Sequence, residues 1–338
     1  MDIIPSLKKL LSLPKRIVIT MHTQPDADAL GASLGLAAFL KKKQHQVSVI
    51  APTAYPDFLA WLPGILEVIV CGEGRKELSF ELIKRADIIF CVDFAMLRRI
   101  NELGEVVKNA TATKVIIDHH LGMEDFADLV LWNPKAAAAA ELVYQLIDEL
   151  GEKAWIDKNI AECLYVGIVT DTGSFKNPNT TANVHRITAN LIELEANVAK
   201  VNRLVYENNS LNKLNFISFA ISHRLVVLAE YNTAYFVIKV SDARQFNLNT
   251  GDTEGLVNYA LSIKGIVLAA LINEKKDTVC LSLRSIGNFP VNVLAKEHFE
   301  GGGHKNAAGG TSRLSLEETA AKFEELVRAN QYTLKNSQ

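Results

Sequence analysis

Short β-branched apolar runs recur through the first half of the chain, separated by stretches with helical spacing. Arg16–Met21 (RIVITM), Gln46–Ala51 (QVSVIA), Glu67–Cys71 (EVIVC), Asp87–Val92 (DIIFCV) and Lys114–Ile117 (KVII) are bounded by turn residues and do not alternate strictly between apolar and polar positions. That is the pattern of parallel strands covered on both faces. Ala27–Lys43 and Leu97–Lys108 carry helical spacing between them. Strands alternating with helices predict an α/β domain built on a doubly wound, mostly parallel sheet.

From Ala136 to about Ser222 the pattern is almost wholly helical, beginning in the run Ala136–Ala140, a strong helix starter. From His223 the texture changes. Arg224–Glu230 and Ala234–Val240 read as strands around a turn at Tyr231–Thr233, and Ile266–Asn273 and Thr278–Leu283 as a second pair around Glu274–Asp277. Helices are expected over Thr253–Leu261, Val291–His298 and Leu316–Asn330. The expected organisation is a first domain at 1–200, a helical connector without Pro or Gly at 201–222, and a smaller α+β domain at 223–338.

The first sixteen residues, MDIIPSLKKLLSLPKR, read as a short amphipathic helix with Leu7, Leu10, Leu11 and Leu13 as its apolar positions. Their lysines sit mid-segment and no apolar core follows, so they do not match a secretory leader. No uncharged apolar run approaches the roughly 18 residues a membrane helix needs. Cys71, Cys91, Cys163 and Cys280 form no CxxC pair and are expected to be buried, reduced thiols, with a cytoplasmic location as the default. Phe58, Trp61, Trp132 and Trp155 are expected in the core.

Composition narrows the classes. The 338 residues carry 36 Lys+Arg against 38 Asp+Glu, with 49% apolar residues. A disordered, collagen-like or disulfide-stapled chain is excluded, and so is a strongly basic surface that grips long duplex DNA. A local basic patch stays open, because net charge says nothing of distribution.

The candidate chemistry lies where the expected strands end. Arg16–Met21 runs into His22, Asp26 and Asp28; Asp87–Val92 into Asp93; Lys114–Ile117 into Asp118, His119 and His120. Ligands bind at the carboxyl ends of strands in open α/β sheets. Asp171 follows the apolar helix Ile160–Thr170. Any one of these could be a cap or turn residue. Together, carboxylates and imidazoles forced to one edge repel and desolvate one another, a conflict divalent cations resolve. Mixed His/Asp donors suit Mn²⁺ or a similar ion, and no cysteine cluster marks a structural zinc site.

HTQPDADALGAS (22–33), VDFA (92–95), DHH (118–120) and TDTGSF (170–175) resemble the four metal motifs of the DHH phosphoesterase family. EGGGHKNAAGG (300–310), with SLRS (282–285) and DTEGLVNYALSIKG (252–265), is similar to the DHH-associated C-terminal domain. The resemblance spans nearly the whole chain in order. It implies that His22, Asp26 and Asp93 hold one metal and that Asp28, Asp93, His119 and Asp171 hold a second, Asp93 bridging. It further implies that His120 faces the scissile phosphate and that Asp118 orients an imidazole. Small departures occur: Ala27 stands where the family has a glycine between the aspartates, Gly31-Ala32-Ser33 replaces the usual Gly-Ser, and Lys176-Asn177 follows Phe175.

For the second domain, Gly301, Gly302 and Gly303 before His304 would let backbone N–H groups approach a phosphate. Arg284, at a strand end, is a natural bidentate phosphate ligand, and Lys305 could add charge. Length and domain pairing resemble the branch of the family that hydrolyses very short RNA to mononucleotides and removes the 3′-phosphate of 3′-phosphoadenosine 5′-phosphate (pAp). Implied with it are two divalent ions, Mn²⁺ foremost, short RNA and pAp as partners, a homodimer, and neither a membrane nor long duplex nucleic acid as partner. The anchor on a separate domain, with near-zero net charge, favours short substrates over a basic track for long strands. The competing readings are a linear or cyclic dinucleotide phosphodiesterase, a single-strand exonuclease, a pyrophosphatase, and a nucleotide-binding protein without catalysis.

Overall fold

The computed structural model describes residues 3–72, 74–249 and 251–337. The chain divides into two compact units after Asn208. Each has its own six-stranded sheet.

In the first unit the strands are β1 (Arg16–Thr20), β2 (Gln46–Ala51), β3 (Ile69–Val70), β4 (Ile88–Val92), β5 (Thr113–Asp118) and β6 (Leu129–Trp132). Their order is β3-β2-β1-β4-β5-β6, every neighbouring pair parallel. The order reverses between β1 and β4, so the loops leaving these two strands diverge and open a crevice at their carboxyl ends. Helices α1 (Ile4–Leu10), α2 (Ala27–Lys42), α3 (Lys76–Arg85), α4 (Leu103–Asn109), α5 (Ala139–Glu149), α6 (Lys158–Asp171), α7 (Ala182–Glu193) and α8 (Val198–Tyr206) complete the unit. One apolar core joins one sheet face to α2, α5 and α6, and a second lies on the other face beneath α3 and α4.

Helix α2 is buried over most of its length because it lies directly on α6. Two glycines make the approach close. A Cβ on Gly31 would overlap the carbonyl oxygen of Cys163, and one on Gly35 would stand 2.8 Å from Leu164 Cδ2.

Several local expectations are corrected. The segment expected as one helix over 97–108 is a 3₁₀ turn at Leu97–Ile100 and then α4, broken at Asn101 where φ is 48°. β6 arises from a half-exposed LVLW segment too short for its pattern to register. The alanine run does not begin a helix at Ala136: Ala138 is extended at φ −159° and ψ 155°, and α5 starts at Ala139. Leu7 and Leu11 are buried as expected of α1, but Leu13 lies past its end and is exposed. Trp132, at the end of edge strand β6, and Trp155 are 38% and 45% exposed, whereas Phe58 and Trp61 lean on the core. Cys71, Cys91 and Cys163 are buried free thiols, while Cys280 is half-buried. Among the described residues no helix is long and apolar enough to cross a membrane.

The second unit contains α9 (Leu211–His223), β7 (Leu225–Leu228), β8 (Thr233–Ile238), α10 (Val240–Gln245), α11 (Leu256–Leu261), β9 (Leu268–Glu274), β10 (Val279–Ser285), α12 (Val291–His298), β11 (Gly302–His304), β12 (Ala307–Ser312), α13 (Leu316–Ala329) and α14 (Gln331–Lys335). The sheet order is β11-β12-β10-β9-β8-β7, with β8 and β9 parallel and the other pairs antiparallel. Strict alternation along β10 puts Val279, Leu281 and Leu283 into a core with Phe299 and Phe323. Cys280, Ser282 and Arg284 point to the other face. Helix α10 stands where the strand pattern was expected to reach Val240, because Asp242 turns the chain. Its carboxylate takes a bidentate contact from Arg224, 2.7 Å at both Nε and Nη2, and also accepts the Lys239 N–H. The glycine-rich segment forms the β11–β12 hairpin.

Candidate metal centre

Three strand ends of the first unit bring the expected residues together. His22, Asp26 and Asp93 place one ligating atom each within 4.8 Å of one another, and so do Asp28, His119 and Asp171, and Asp93, Asp118 and His120.

The N-terminus of α2 supplies two of the carboxylates. Asp26 is its N-cap: Oδ1 accepts the N–H groups of Asp28 and Ala29, each at 3.0 Å. The capping role of a strand-end aspartate therefore holds, but it uses one oxygen only. Oδ2 faces His22 Nε2 at 3.9 Å. Asp28, the second residue of α2, is fully buried, and its oxygens accept the N–H groups of Ala139 at 2.6 Å and Ala140 at 2.9 Å. Here the alanine run acquires a role: its extended Ala138 turns the first amides of α5 onto Asp28, a favourable place for a carboxylate. A Cβ on Gly167 of α6 would stand 2.5 Å from Asp28 Oδ1, so glycine keeps that carboxylate in place.

Asp93 occupies the centre with φ at 63°, a conformation rare for a residue bearing a Cβ. The turn aims its oxygens in two directions. Oδ2 lies 3.2 Å from His22 Nε2, and Oδ1 lies 3.4 Å from His119 Nε2. Asp171 ends α6, where a helix C-terminus disfavours a carboxylate without a nearby cation. Its Oδ2 lies 3.2 Å from His119 Nε2. Beyond it Gly173, Ser174 and Phe175 all have positive φ, and Asn177 Nδ2 donates to the Asp171 carbonyl at 3.0 Å.

The hydrogen bonds of the imidazoles identify the nitrogen each presents. His22 Nδ1 donates to the Thr23 carbonyl at 2.8 Å and His119 Nδ1 to the Ala136 carbonyl at 3.1 Å. A carbonyl only accepts, so in the neutral rings Nε2 carries the lone pair. That lone pair faces Asp93 Oδ2 in one case and three carboxylates, of Asp171, Asp93 and Asp28, in the other. Acceptors facing acceptors at this range need cations between them, and an oxygen-rich set with one imidazole suits a divalent first-row ion. His120 differs: Nδ1 donates to Asp118 Oδ1 at 2.8 Å, and that oxygen also accepts the N–H groups of His119 and His120. Trp132, expected in the core, instead donates from Nε1 to the His120 carbonyl at 2.7 Å.

The electrostatics record the same conflict. Burial pushes the Asp28 and Asp26 carboxyls upward, Asp28 well above the carboxylate range, with Asp93 and Asp171 adding to it. Burial also opposes charge on Asp93, but His120, His119 and His22 together hold it well below. Burial disfavours imidazolium at His22, His119 and His120, yet the carboxylates outweigh it. Asp93 and Asp118 take His120 up to about 9. These raised affinities mark where positive charge is wanted. Arg99, which the strand-end pattern did not single out, adds an Nη1 contact to the Asp93 carbonyl at 3.3 Å.

In the second unit, register relates the other candidates. His304 is opposite Ala307, which is opposite Arg284. Opposite residues share a face, so His304 and Arg284 flank a small alanine, two strand spacings of about 4.8 Å apart. Gly302, Gly309 and Ser282 form the next row. Two of the three glycines have a packing reason: a Cβ on Gly301 would overlap the Gly309 carbonyl, and one on Gly303 would lie 2.6 Å from the Ala307 carbonyl oxygen. Gly302 alone of the three has open space around it. Lys305 Nζ donates to Asn288 Oδ1 at 2.9 Å.

A doubly wound sheet carrying this His/Asp set at its switch point, followed by a mixed-sheet domain, fits a phosphoesterase whose donors suit divalent ions. The chain belongs to the DHH family: residues 16–168 match the DHH family, N-terminal domain, and residues 232–335 the DHHA1 domain. It is 30% identical over 319 residues to the bifunctional oligoribonuclease and PAP phosphatase NrnA of Thermus thermophilus, covering 92% of this chain and 89% of that one. The NrnA of Bacillus subtilis is 28% identical over 305 residues, 90% of this chain and 91% of its own. A solved structure of an exopolyphosphatase-related protein from Bacteroides fragilis has 37% identity and a TM-score of 0.92, covering 98% of this chain and 97% of that one.

Proposed function

We propose that this chain is a two-metal, Mn²⁺-dependent phosphoesterase that hydrolyses very short RNA oligonucleotides to mononucleotides and removes the 3′-phosphate of pAp. The observation that carries the reading is Asp93, whose two oxygens face different imidazoles, His22 and His119, each belonging to its own ligand group. On this reading His22, Asp26 and Asp93 hold one ion and Asp28, Asp93, His119 and Asp171 the other. The ions would supply Lewis-acid stabilisation of the phosphoryl group and lower the pKa of water. The substrates follow from the two NrnA relatives, which bear both activities in their names and align along most of this chain.

The chain's own groups have distinct tasks. His120, its Nδ1–H held by Asp118, keeps the ring oriented so that Nε2 is the nitrogen that can donate to a phosphoryl or leaving oxygen. Asp118 fixes that orientation and, through its bonds to two main-chain N–H groups, the turn that carries both histidines. Arg284, His304 and the N–H groups around Gly301, Gly302 and Gly303 supply substrate-binding groups from the second unit.

A substrate panel run with Mn²⁺ tests this: pAp, a linear dinucleotide, a cyclic dinucleotide, inorganic pyrophosphate, and RNA of increasing length. Fastest turnover is expected on the dinucleotide and pAp, with Asp93→Ala reducing both by at least roughly 10³-fold, the scale of losing a principal electrostatic element. Equal rates on long RNA and the dinucleotide, preference for pyrophosphate or the cyclic compound, or an Asp93→Ala enzyme as fast as the parent would each overturn it.

A further inference from the structure

A buried acid outside the ligand set fastens the turn on which half of the metal centre rests. Glu141, at the third position of α5, is 4% exposed. Its Oε2 accepts the Ala137 N–H at 2.7 Å, and its Oε1 accepts Gln145 Nε2 at 3.1 Å and Asn183 Nδ2 at 3.3 Å. Asn179 Nδ2 donates to the Ala137 carbonyl at 3.2 Å. Ala137 is thus tied through both its N–H and its carbonyl. On one side of it, Ala136 receives His119 Nδ1–H; on the other, the N–H groups of Ala139 and Ala140 hold Asp28. Asn179 and Asn183 follow Asp171 in the chain, in the loop after α6 and at the start of α7. Asp28 and His119 therefore both rest on one alanine turn, to which the segment following Asp171 is also tied, and whose own side chains offer no polar atom to hold it.

The other ligand group is built differently. Asp26 is set by the N–H groups of α2, and His22 by the Thr23 carbonyl. None of these contacts passes through the alanine turn. A buried carboxylate is costly unless it is hydrogen-bonded, and here its three donors lock the segment rather than any ligand directly.

We propose that Glu141 is a positioning residue for one metal subsite, that of Asp28, His119 and Asp171, and leaves the His22–Asp26 subsite untouched. This rests on the two-metal reading. Glu141→Ala strands the Ala137 N–H and frees the turn, so His119 and Asp28 lose their orienting groups. Glu141→Gln keeps a carbonyl oxygen for Ala137, and its amide can donate to Gln145 and Asn183 once both of those side chains turn over, so the role is one of hydrogen bonding rather than charge.

Calorimetric titration of the full chain with Mn²⁺ alone tests the proposal, with thermal melts of the metal-free proteins alongside. The parent is expected to bind two ions. Glu141→Ala should weaken one of them by roughly 10–100-fold, the range for lost supporting contacts around a ligand, and leave the other within twofold. Glu141→Gln should recover most of the loss. The proposal is overturned if Glu141→Ala binds both ions like the parent, if both sites weaken equally in step with a lowered melting temperature, or if Glu141→Gln is no better than Glu141→Ala. A parent that binds fewer than two ions overturns the two-metal reading, and this inference with it.

Discussion

The α-carbon of Gly167 lies against the carboxylate of Asp28, so close that a Cβ would stand 2.5 Å from Oδ1 and 2.7 Å from the Ala140 side chain. Neither neighbour can retreat, because Asp28 is held by the first N–H groups of α5 and both are buried. Gly167→Ala should therefore displace Asp28. Overpacking of this kind costs about 1–3 kcal/mol of stability, and a ligand moved by a fraction of an ångström should lower kcat by on the order of 10²-fold. Denaturant unfolding and kcat at saturating Mn²⁺ would check it; a variant with parental turnover would show the carboxylate has room to shift.

Asp118 makes its three bonds through Oδ1, to the N–H groups of His119 and His120 and to His120 Nδ1. Asp118→Asn can keep the acceptor while removing the charge that helps raise His120. Turnover should fall roughly 10–100-fold with Mn²⁺ affinity nearly unchanged. Separate measurement of kcat and of metal dissociation distinguishes this from loss of an ion.

The glycine hairpin separates packing from binding. Gly301→Ala should lower the melting temperature, since its Cβ would overlap the Gly309 carbonyl. Gly302→Ala meets nothing within 4 Å and should leave stability unchanged while raising KM for short RNA, if main-chain N–H groups there approach phosphate. Parental KM in Gly302→Ala would remove that residue from the substrate contacts.

One exposed ion pair gives a pH signature away from the site. The Asp87 carboxylate, just before β4, accepts Arg16 Nη2 at 2.9 Å and the Arg16 N–H at 2.8 Å, and these bonds push it down to about 2. A depressed folded pKa contributes stability above the ordinary carboxylate value of about 3.9 and loses it as pH falls toward 2. Asp87→Asn should lower the urea midpoint at pH 6 by a small amount, given the exposure of the pair, and the gap to the parent should close below pH 4. A constant gap from pH 6 to pH 3 would mean that the charge plays no part.

What could be read in advance, and what could not, divides on chemistry. Aspartates and histidines after β-branched runs are legible because a sheet of this type exposes its strand ends together, and His22, Asp93 and His119 meet as that rule requires. The contributions of Ala136, Ala139 and Ala140 are not legible, since they act through main-chain atoms whose aim depends on the extended Ala138. Gly167 is equally silent, because its value is the absence of an atom beside a residue far away in the chain. Trp132 has core chemistry in sequence, yet it ends an edge strand with its ring nitrogen turned toward His120. The β11–β12 hairpin was hidden because glycines suppress the strand pattern while close pairing requires them.

The Asp28 carboxylate is gripped by amides 111 and 112 positions further along the chain. During synthesis, a ribosome that has released only the first hundred residues has emitted His22, Asp26, Asp28 and Asp93 but neither His119 nor those amides. The emerging segment thus holds half of the proposed ligand set with nothing to shape it, and the candidate site would be complete only when α5 and α6 dock onto α2. On the proposed two-metal reading, metal capture would consequently be a late event that reports completed folding of the first unit. An ion that binds only the finished structure then draws the folding equilibrium forward in proportion to its free concentration over its dissociation constant.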